Sequence, residues 1–308
     1  MPFRKLGDEQ GLSGKQVFLR VGREINSLPE NFKLTKDLCD PRRFCHILIM
    51  DGKYIAVKGF NQKIPFVYGI DYLSHDIPYG DLYPAEDEMA FSRFFQKLYD
   101  LGLDIRIVVA DDRAGLKQAL HKVFPYAKLQ LCHNHYLENL RSRLKVRIIQ
   151  TYQDFFNSLR QRVFLKGTDE QKIAKGLKYV MDQHAGRSRL LQNILFEIRD
   201  RQDDLFNYLK FPNCPNNTNL IELYNSHLNG RLKTIKGFQS FESARGWLNA
   251  YLIRRRTKAL TDCQEKFKHL NKHSSLEFTI KKQAPWPEQL TNLGINKINF
   301  YEKTIKTN

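Results

Sequence analysis

No stretch of 18 consecutive apolar residues occurs in the 308-residue chain, which argues against a transmembrane helix. The opening, MPFRKLGDEQ, lacks the apolar segment of a secretory signal. Cysteine is scarce. The five present (Cys39, Cys45, Cys132, Cys214, Cys263) are odd in number and scattered, which fits a reducing cytosol better than a disulfide scaffold. Internal repeats and low-complexity tracts are absent. Acid is short as well: 33 Asp and Glu stand against 50 Lys and Arg, a formal charge of +17. Basic excess of that size suits a polyanion, because each neutralised phosphate releases counterions. Nucleic acid is favoured over plain solubility, a ribosomal role or a membrane surface.

What is present centres on residues 105–135. The apolar run Ile105–Ala110 reads as a strand and ends in Asp111 and Asp112. A short helix follows, with Leu116, Leu120 and Val123 on one stripe, Asp112 at its N-cap position and Phe124-Pro125 as its stop. Lys128–Leu131 is a further strand ending in Cys-His-Asn-His. Such strand–helix–strand units gather their chemistry where strands end.

Upstream, residues 3–28 contain two helical patterns meeting at Gly11–Ser13, with Lys15, Gln16, Arg20 and Arg23 facing outward. The spacing is that of a helix-turn-helix, though an ordinary helical hairpin has the same pattern. Almost nothing precedes the first helix, which suggests a remnant or the visible end of a longer parent. Pro29 to Arg43 reads as a linker. Cys45–Met50, Tyr54–Gly59 and Pro65–Asp71 predict a three-strand antiparallel meander, Asp51 standing at the end of its first strand. Residues 74–86 read as a loop. Glu86–Leu101 reads as an amphipathic helix with Met89, Phe91, Phe94, Phe95 and Leu98 inward.

Past His135 strand signals nearly vanish. Strong helices are predicted over Asn219–Leu232 and Phe241–Ala259, and the last 40 or so residues read as a loosely held polar tail with Trp286 as anchor.

Three carboxylates stand out. If their strands are adjacent in the sheet, Asp51 and Asp111 would come within reach of one divalent ion. Glu222, on a helix packed across that edge, would close a second metal position. Such hard oxygen donors suit Mg²⁺ or Mn²⁺, and a pair of ions can promote in-line phosphoryl displacement. Asn225 and Asn229 share the Glu222 stripe. The duller readings are a hairpin turn at Asp51-Gly52 and a solvated glutamate at 222.

Four ordered motifs resemble the DDE-type transposases of bacterial insertion sequences related to Mutator-like elements: ILIMDGKYI with Asp51, VVADDRAGLKQALHKVFP with Asp111, the Cys-x-x-His of Cys132 and His135, and Asn219-x-Ile221-Glu222-x-x-Asn225 with Gly237-Phe238 beyond. The Gly-Leu spacing selects Asp111 over Asp112. The resemblance spans about residues 44–257. It implies an α/β, ribonuclease-H-like mixed sheet flanked by helices, with an all-helical insertion. The expected organisation is a partial helix-turn-helix over 1–29, a linker over 30–43 and the first part of the catalytic core over 44–135. The helical insertion then covers 136–217, helices completing the core 218–260, and the polar tail 261–308.

The expected catalytic and metal-holding residues are Asp51, Asp111 and Glu222, with Mg²⁺ or Mn²⁺ as cofactor. Cys132 and His135 make half a zinc tetrahedron, but no second Cys/His pair lies at zinc-finger distance, so the pair is expected to orient the sheet's active-site end or lie near DNA. Lys15, Arg20, Arg23, Arg231, Lys233, Lys236, Arg254, Arg255 and Arg256 are the expected contacts to double-stranded DNA, at element ends and target. The resemblance further implies a homodimer or higher oligomer on DNA, in the bacterial cytoplasm at the nucleoid. The competing reading is a regulator that binds DNA without cleaving it; a metal-dependent nuclease or resolvase would share the site.

Overall fold

The computed structural model describes residues 3–165, 167–235, 237–292 and 294–295. Helices α1 (Phe3–Gln10) and α2 (Gly14–Ser27) meet at Gly11–Ser13. Ser13 caps α2 reciprocally with Gln16, so that Gln16 serves the helix end. Helix α3 (Asn31–Leu38) occupies the stretch expected as a linker: Leu34, Thr35 and Leu38 are buried against the core.

The sheet contains β1 (Ile47–Ile55), β2 (Ile64–Asp71), β3 (Tyr79–Leu82), β4 (Ile107–Ala110) and β5 (Lys128–Leu131), in the order β3-β2-β1-β4-β5. β1, β2 and β3 are antiparallel neighbours, whereas β4 and β5 run parallel to β1. Two expected strands are one: β1 runs unbroken through Asp51-Gly52, and the meander is completed by β3 from a segment expected as loop. Between strands lie α4 (Glu88–Asp100) and α5 (Leu116–Val123). Phe91, Phe94, Phe95 and Leu98 of α4 are buried as expected, but Met89 is exposed. Asp112 does not cap α5. Gly115 holds that position at φ +79°, where a side chain would also strike the backbone of Glu88, and the Asp112 carboxylate instead meets Arg201 at 2.8 Å.

After β5 the described chain is helical: α6 (His133–Arg143), α7 (Gln150–Arg162), α8 (Glu170–His184), α9 (Arg189–Asp200), α10 (Gln202–Phe206), α11 (Asn219–Leu232), α12 (Phe241–Thr257), α13 (Ser275–Thr279) and α14 (Glu288–Asn292). Strand periodicity divides the packing into two layers. Leu48, Met50, Val108 and Leu129 face α4, α5 and the helices after β5, while Ile47, Ile49, Ile107 and Val109 face α11 and α12.

The C-terminal segment is held more firmly than its polarity suggests. Arg256, expected at DNA, is fully buried and makes paired hydrogen bonds to Asp76, both 2.8 Å. The guanidinium also reaches Asn31 and Thr35 of α3, and Asp76 accepts from Ser275 and Thr279 of α13. One ion pair thus joins four segments, and no DNA can reach it. Removing one partner of such a pair strands the other charge in the core. Arg256→Ala should therefore lose about 3–5 kcal/mol in urea unfolding, against about 0.5 kcal/mol or less for the exposed Arg254→Ala.

Candidate active site

Asp51 shares the β1 face of Ile47 and Ile49 and points toward α11. The parallel register pairs Ile49 with Val109, so Asp111, one residue beyond β4, stands level with Asp51 on the neighbouring strand. Asp51 sits inside β1 rather than at its end; what ends there is the pairing with β4. Gly52 is not a hairpin turn, since it lies within β1, and a Cβ there would meet only the movable side chain of Glu86, its Oε1 at 2.8 Å.

Asn225 fixes Asp51. Its Nδ2 donates to Asp51 Oδ2 at 2.7 Å, and its Oδ1 accepts from the buried Tyr68 hydroxyl at 2.8 Å. The tyrosine proton orients the amide and leaves its NH₂ facing the carboxylate. Desolvation pushes the Asp51 carboxyl up to about 6, against the pull of the Gly52 amide and of His135 and Arg113. Asn225→Ala should lower thermal stability by about 1–3 kcal/mol, because the Tyr68 hydroxyl would be left buried without its acceptor. Retained stability would show that water fills the gap.

Asp111 accepts from the Asp112 amide at 2.8 Å and lies 3.5 Å from Arg113. Arg113 also approaches Glu86, whose other partner is the Tyr54 hydroxyl. Glu222 lies in the first turn of α11, its side chain 43% exposed. It does not close on the aspartates here. Thr218 Oγ1 donates to Glu222 Oε1 at 2.9 Å, and His135 Nε2 stands 3.9 Å from the same oxygen. His135 lies amid all three carboxylates. Its imidazole is pushed up to about 9, chiefly by its hydrogen bond to Cys132, with Asp111 and Glu222 adding charge. Burial raises the Cys132 thiol, yet its bonds with His135 and Thr218 outweigh that and leave it below its ordinary value.

A groove of about 790 Å³ runs past Asp51, Asp111 and His135 and is edged by Lys53, Lys63, Arg113 and Lys233. Of the expected DNA contacts, only Lys233 lines it. Arg231, Arg254 and Arg255 line a second hollow on the other flank of α11, beside Tyr224 and Lys258. Lys15, Arg20 and Arg23 are exposed on α2, whose C-terminal end rests on α12 near Gly246. Lys236 lies outside the described residues. Sequence reasoning missed Glu86, Arg113, Lys53 and Lys63. Lys53 was findable, two residues past Asp51 on the same strand face; Glu86 was hidden in a loop, its partners Tyr54 and Arg113 lying far along the chain. No described helix is long and apolar enough to cross a membrane.

Comparison with known proteins places the chain in a family. The family model described as transposase, Mutator family, matches residues 45–259, which contain every residue of the groove described above. A transposase for insertion sequence element IS256 in transposon Tn4001, from Staphylococcus aureus, is 24% identical over 173 residues, covering 55% of this chain and 43% of that protein. The transposase for element ISRM5 of Rhizobium meliloti is 32% identical over 103 residues, 32% of this chain and 26% of its own. That for element IS1201 of Lactobacillus helveticus is 21% identical over 165 residues, 52% and 42% respectively. The chain matches less than half the length of these curated relatives. With a family match running across most of its residues, from the start of the sheet through the two helices that cover it, the chain belongs to the Mutator family of insertion-sequence transposases.

Proposed function

We propose that this chain carries the catalytic core of a DNA transposase, which cuts DNA at its element's ends and joins the freed 3′-hydroxyl to target DNA. The observation that carries the reading is the pairing of Asp51 and Asp111, level on adjacent parallel strands and facing the Glu222 helix. The strand order, three antiparallel strands followed by two parallel ones, supports a ribonuclease-H-like core. The α1–α2 hairpin, with Lys15, Arg20 and Arg23 exposed, supports an accessory DNA-binding role.

The donor set fits a divalent metal ion. Asp51 and Asp111 offer hard carboxylate oxygens, and the desolvated Asp51 has charge that a cation would offset. These two would hold Mg²⁺ or Mn²⁺, with Glu222 as the third carboxylate. When bound, such an ion supplies activation of the attacking oxygen and neutralisation of charge at the phosphoryl group.

The chain's own residues do the rest. Asn225 keeps Asp51 aimed. Lys53, Lys63 and Lys233 neutralise the phosphates entering the groove. Hydrolysis forms a bond from water oxygen to phosphorus and breaks the bond to the 3′-oxygen, leaving a 3′-hydroxyl and a 5′-phosphate. In transfer, that 3′-hydroxyl attacks a target phosphodiester, and the target's own 3′-oxygen leaves. A dimer or higher oligomer would hold two ends together.

Purified protein incubated with Mg²⁺ and a labelled duplex carrying the element's terminal repeat should release a product with a 3′-hydroxyl at the repeat boundary. Tight binding without any cleavage would point instead to a regulator.

A further inference from the structure

We propose that Cys132, His135 and Glu222 form a second metal site, for a soft divalent cation of the Zn²⁺ class, and that a cation held there parks Glu222 away from the aspartates. Cys132 follows β5 at the N-cap of α6, His135 lies in the first turn of α6, and Glu222 lies in the first turn of α11. The three donor atoms lie within 4.8 Å of one another, the one such group among the described residues. They surround a single hydroxyl, Thr218 Oγ1, which stands 3.2 Å from Cys132 Sγ, 3.4 Å from His135 Nδ1 and 2.9 Å from Glu222 Oε1. One hydroxyl proton serves one acceptor at a time, and Cys132 and His135 also hydrogen-bond each other, so the three donors converge on one point and on one another.

Bound Zn²⁺ takes sulfur at about 2.3 Å and nitrogen or oxygen at about 2.0–2.2 Å, so these donors need to close by roughly 1 Å. The imidazole and the carboxylate, 36% and 43% exposed, have room to move toward Cys132, leaving a fourth position for solvent. Thiolate and imidazole select a soft ion, while the all-oxygen pair Asp51 and Asp111 selects a hard one. The two sites differ in ligand chemistry and compete for one residue, Glu222.

The binding half of this proposal stands by itself; the blocking half rests on the cleavage function proposed above. Co²⁺ serves as the optical probe. Titrated into the metal-free chain, it should produce a thiolate-to-cobalt charge-transfer band and tetrahedral visible bands, both erased by one equivalent of Zn²⁺. Cys132→Ser should abolish the charge-transfer band. His135→Ala and Glu222→Gln should weaken Zn²⁺ binding beyond the roughly 10–100-fold typical of outer-shell changes. Asp111→Asn should bind Zn²⁺ as the parent does. A folded parent without the band, or variants with undiminished affinity, would overturn the site.

In the cleavage assay Zn²⁺ should inhibit the parent, and Cys132→Ser should cleave and escape inhibition. Zn²⁺ bound with cleavage unchanged would overturn the blocking role. No cleavage in Mg²⁺ alone, with the cobalt spectrum as expected, would overturn the cleavage reading and the blocking role with it, and leave the metal site standing.

Discussion

Glu222→Gln and Asp111→Asn should each reduce Mg²⁺-dependent cleavage of a labelled element end by orders of magnitude while leaving folding and DNA affinity intact. Both substitutions keep side-chain shape and remove one negative charge. Neither residue supports the core: Glu222 is 43% exposed and Asp111 17%, and their contacts are to Thr218, His135, the Asp112 amide and Arg113. Unaltered melting curves and gel shifts would therefore accompany the lost activity. Asp112→Asn is the control. Its carboxylate holds Arg201, away from the groove, so that variant should cleave normally. Full activity in Glu222→Gln would assign the third carboxylate elsewhere. Glu86, already beside Gly52 and Arg113, is the next candidate by position, whereas Glu197 is engaged by Arg143 at 2.7 Å.

Asp51→Asn should do something less usual: abolish cleavage and raise stability. Desolvation lifts the folded-state carboxyl from 3.8 to about 6. An acid whose folded pKa lies above its unfolded value binds its proton more tightly when folded. Relative stability is then full below 3.8 and declines as pH rises through about 6. Above that range the folded chain carries a strained anion, at a cost of about 1–3 kcal/mol after allowance for partial exposure. Asparagine removes the charge and can still meet Asn225 after an amide flip. Calorimetry above pH 7 should show Asp51→Asn melting roughly 2–6 °C higher, with the gap closing in acid. Mg²⁺ should raise the melting temperature of the parent and not of the variant. A parent that melts higher than the variant at neutral pH without metal would contradict this account of Asp51.

How legible all this was in the sequence depended on where each residue's partners lie. β4, expected from Ile105 and beginning at Ile107, was readable, together with Lys128–Leu131 and Asn219–Leu232, because local periodicity and turn residues define them. At the turn after Asp111 the sequence offered Asp112 as the helix cap, whereas Gly115 takes that place against the backbone of Glu88. Failures came where distant contacts override local pattern. Gly52 read as a strand end because glycine usually marks a turn, whereas here β1 runs on through it, paired with β2. Arg256 read as one of three DNA-contacting arginines, because its partner Asp76 lies 180 residues away. Residues 30–43 and the C-terminal segment read as polar connectors for the same reason: Thr35, Ser275 and Thr279 are polar residues that serve that one buried pair. Strand Tyr79–Leu82 was masked by its proline and glycine neighbours, which outweigh four residues of extended pattern.

The central claim is that Asp51 and Asp111 together hold the catalytic divalent ion, and Mn²⁺ tests it without any knowledge of the DNA substrate. Electron paramagnetic resonance of free Mn²⁺, recorded during titration at neutral pH, reports directly how much metal the protein removes from solution. The parent should quench the signal at low stoichiometry, each single variant, Asp51→Asn or Asp111→Asn, should bind far more weakly, and the double variant should leave Mn²⁺ free. A double variant that removes Mn²⁺ as well as the parent does would place the ion elsewhere and contradict the account.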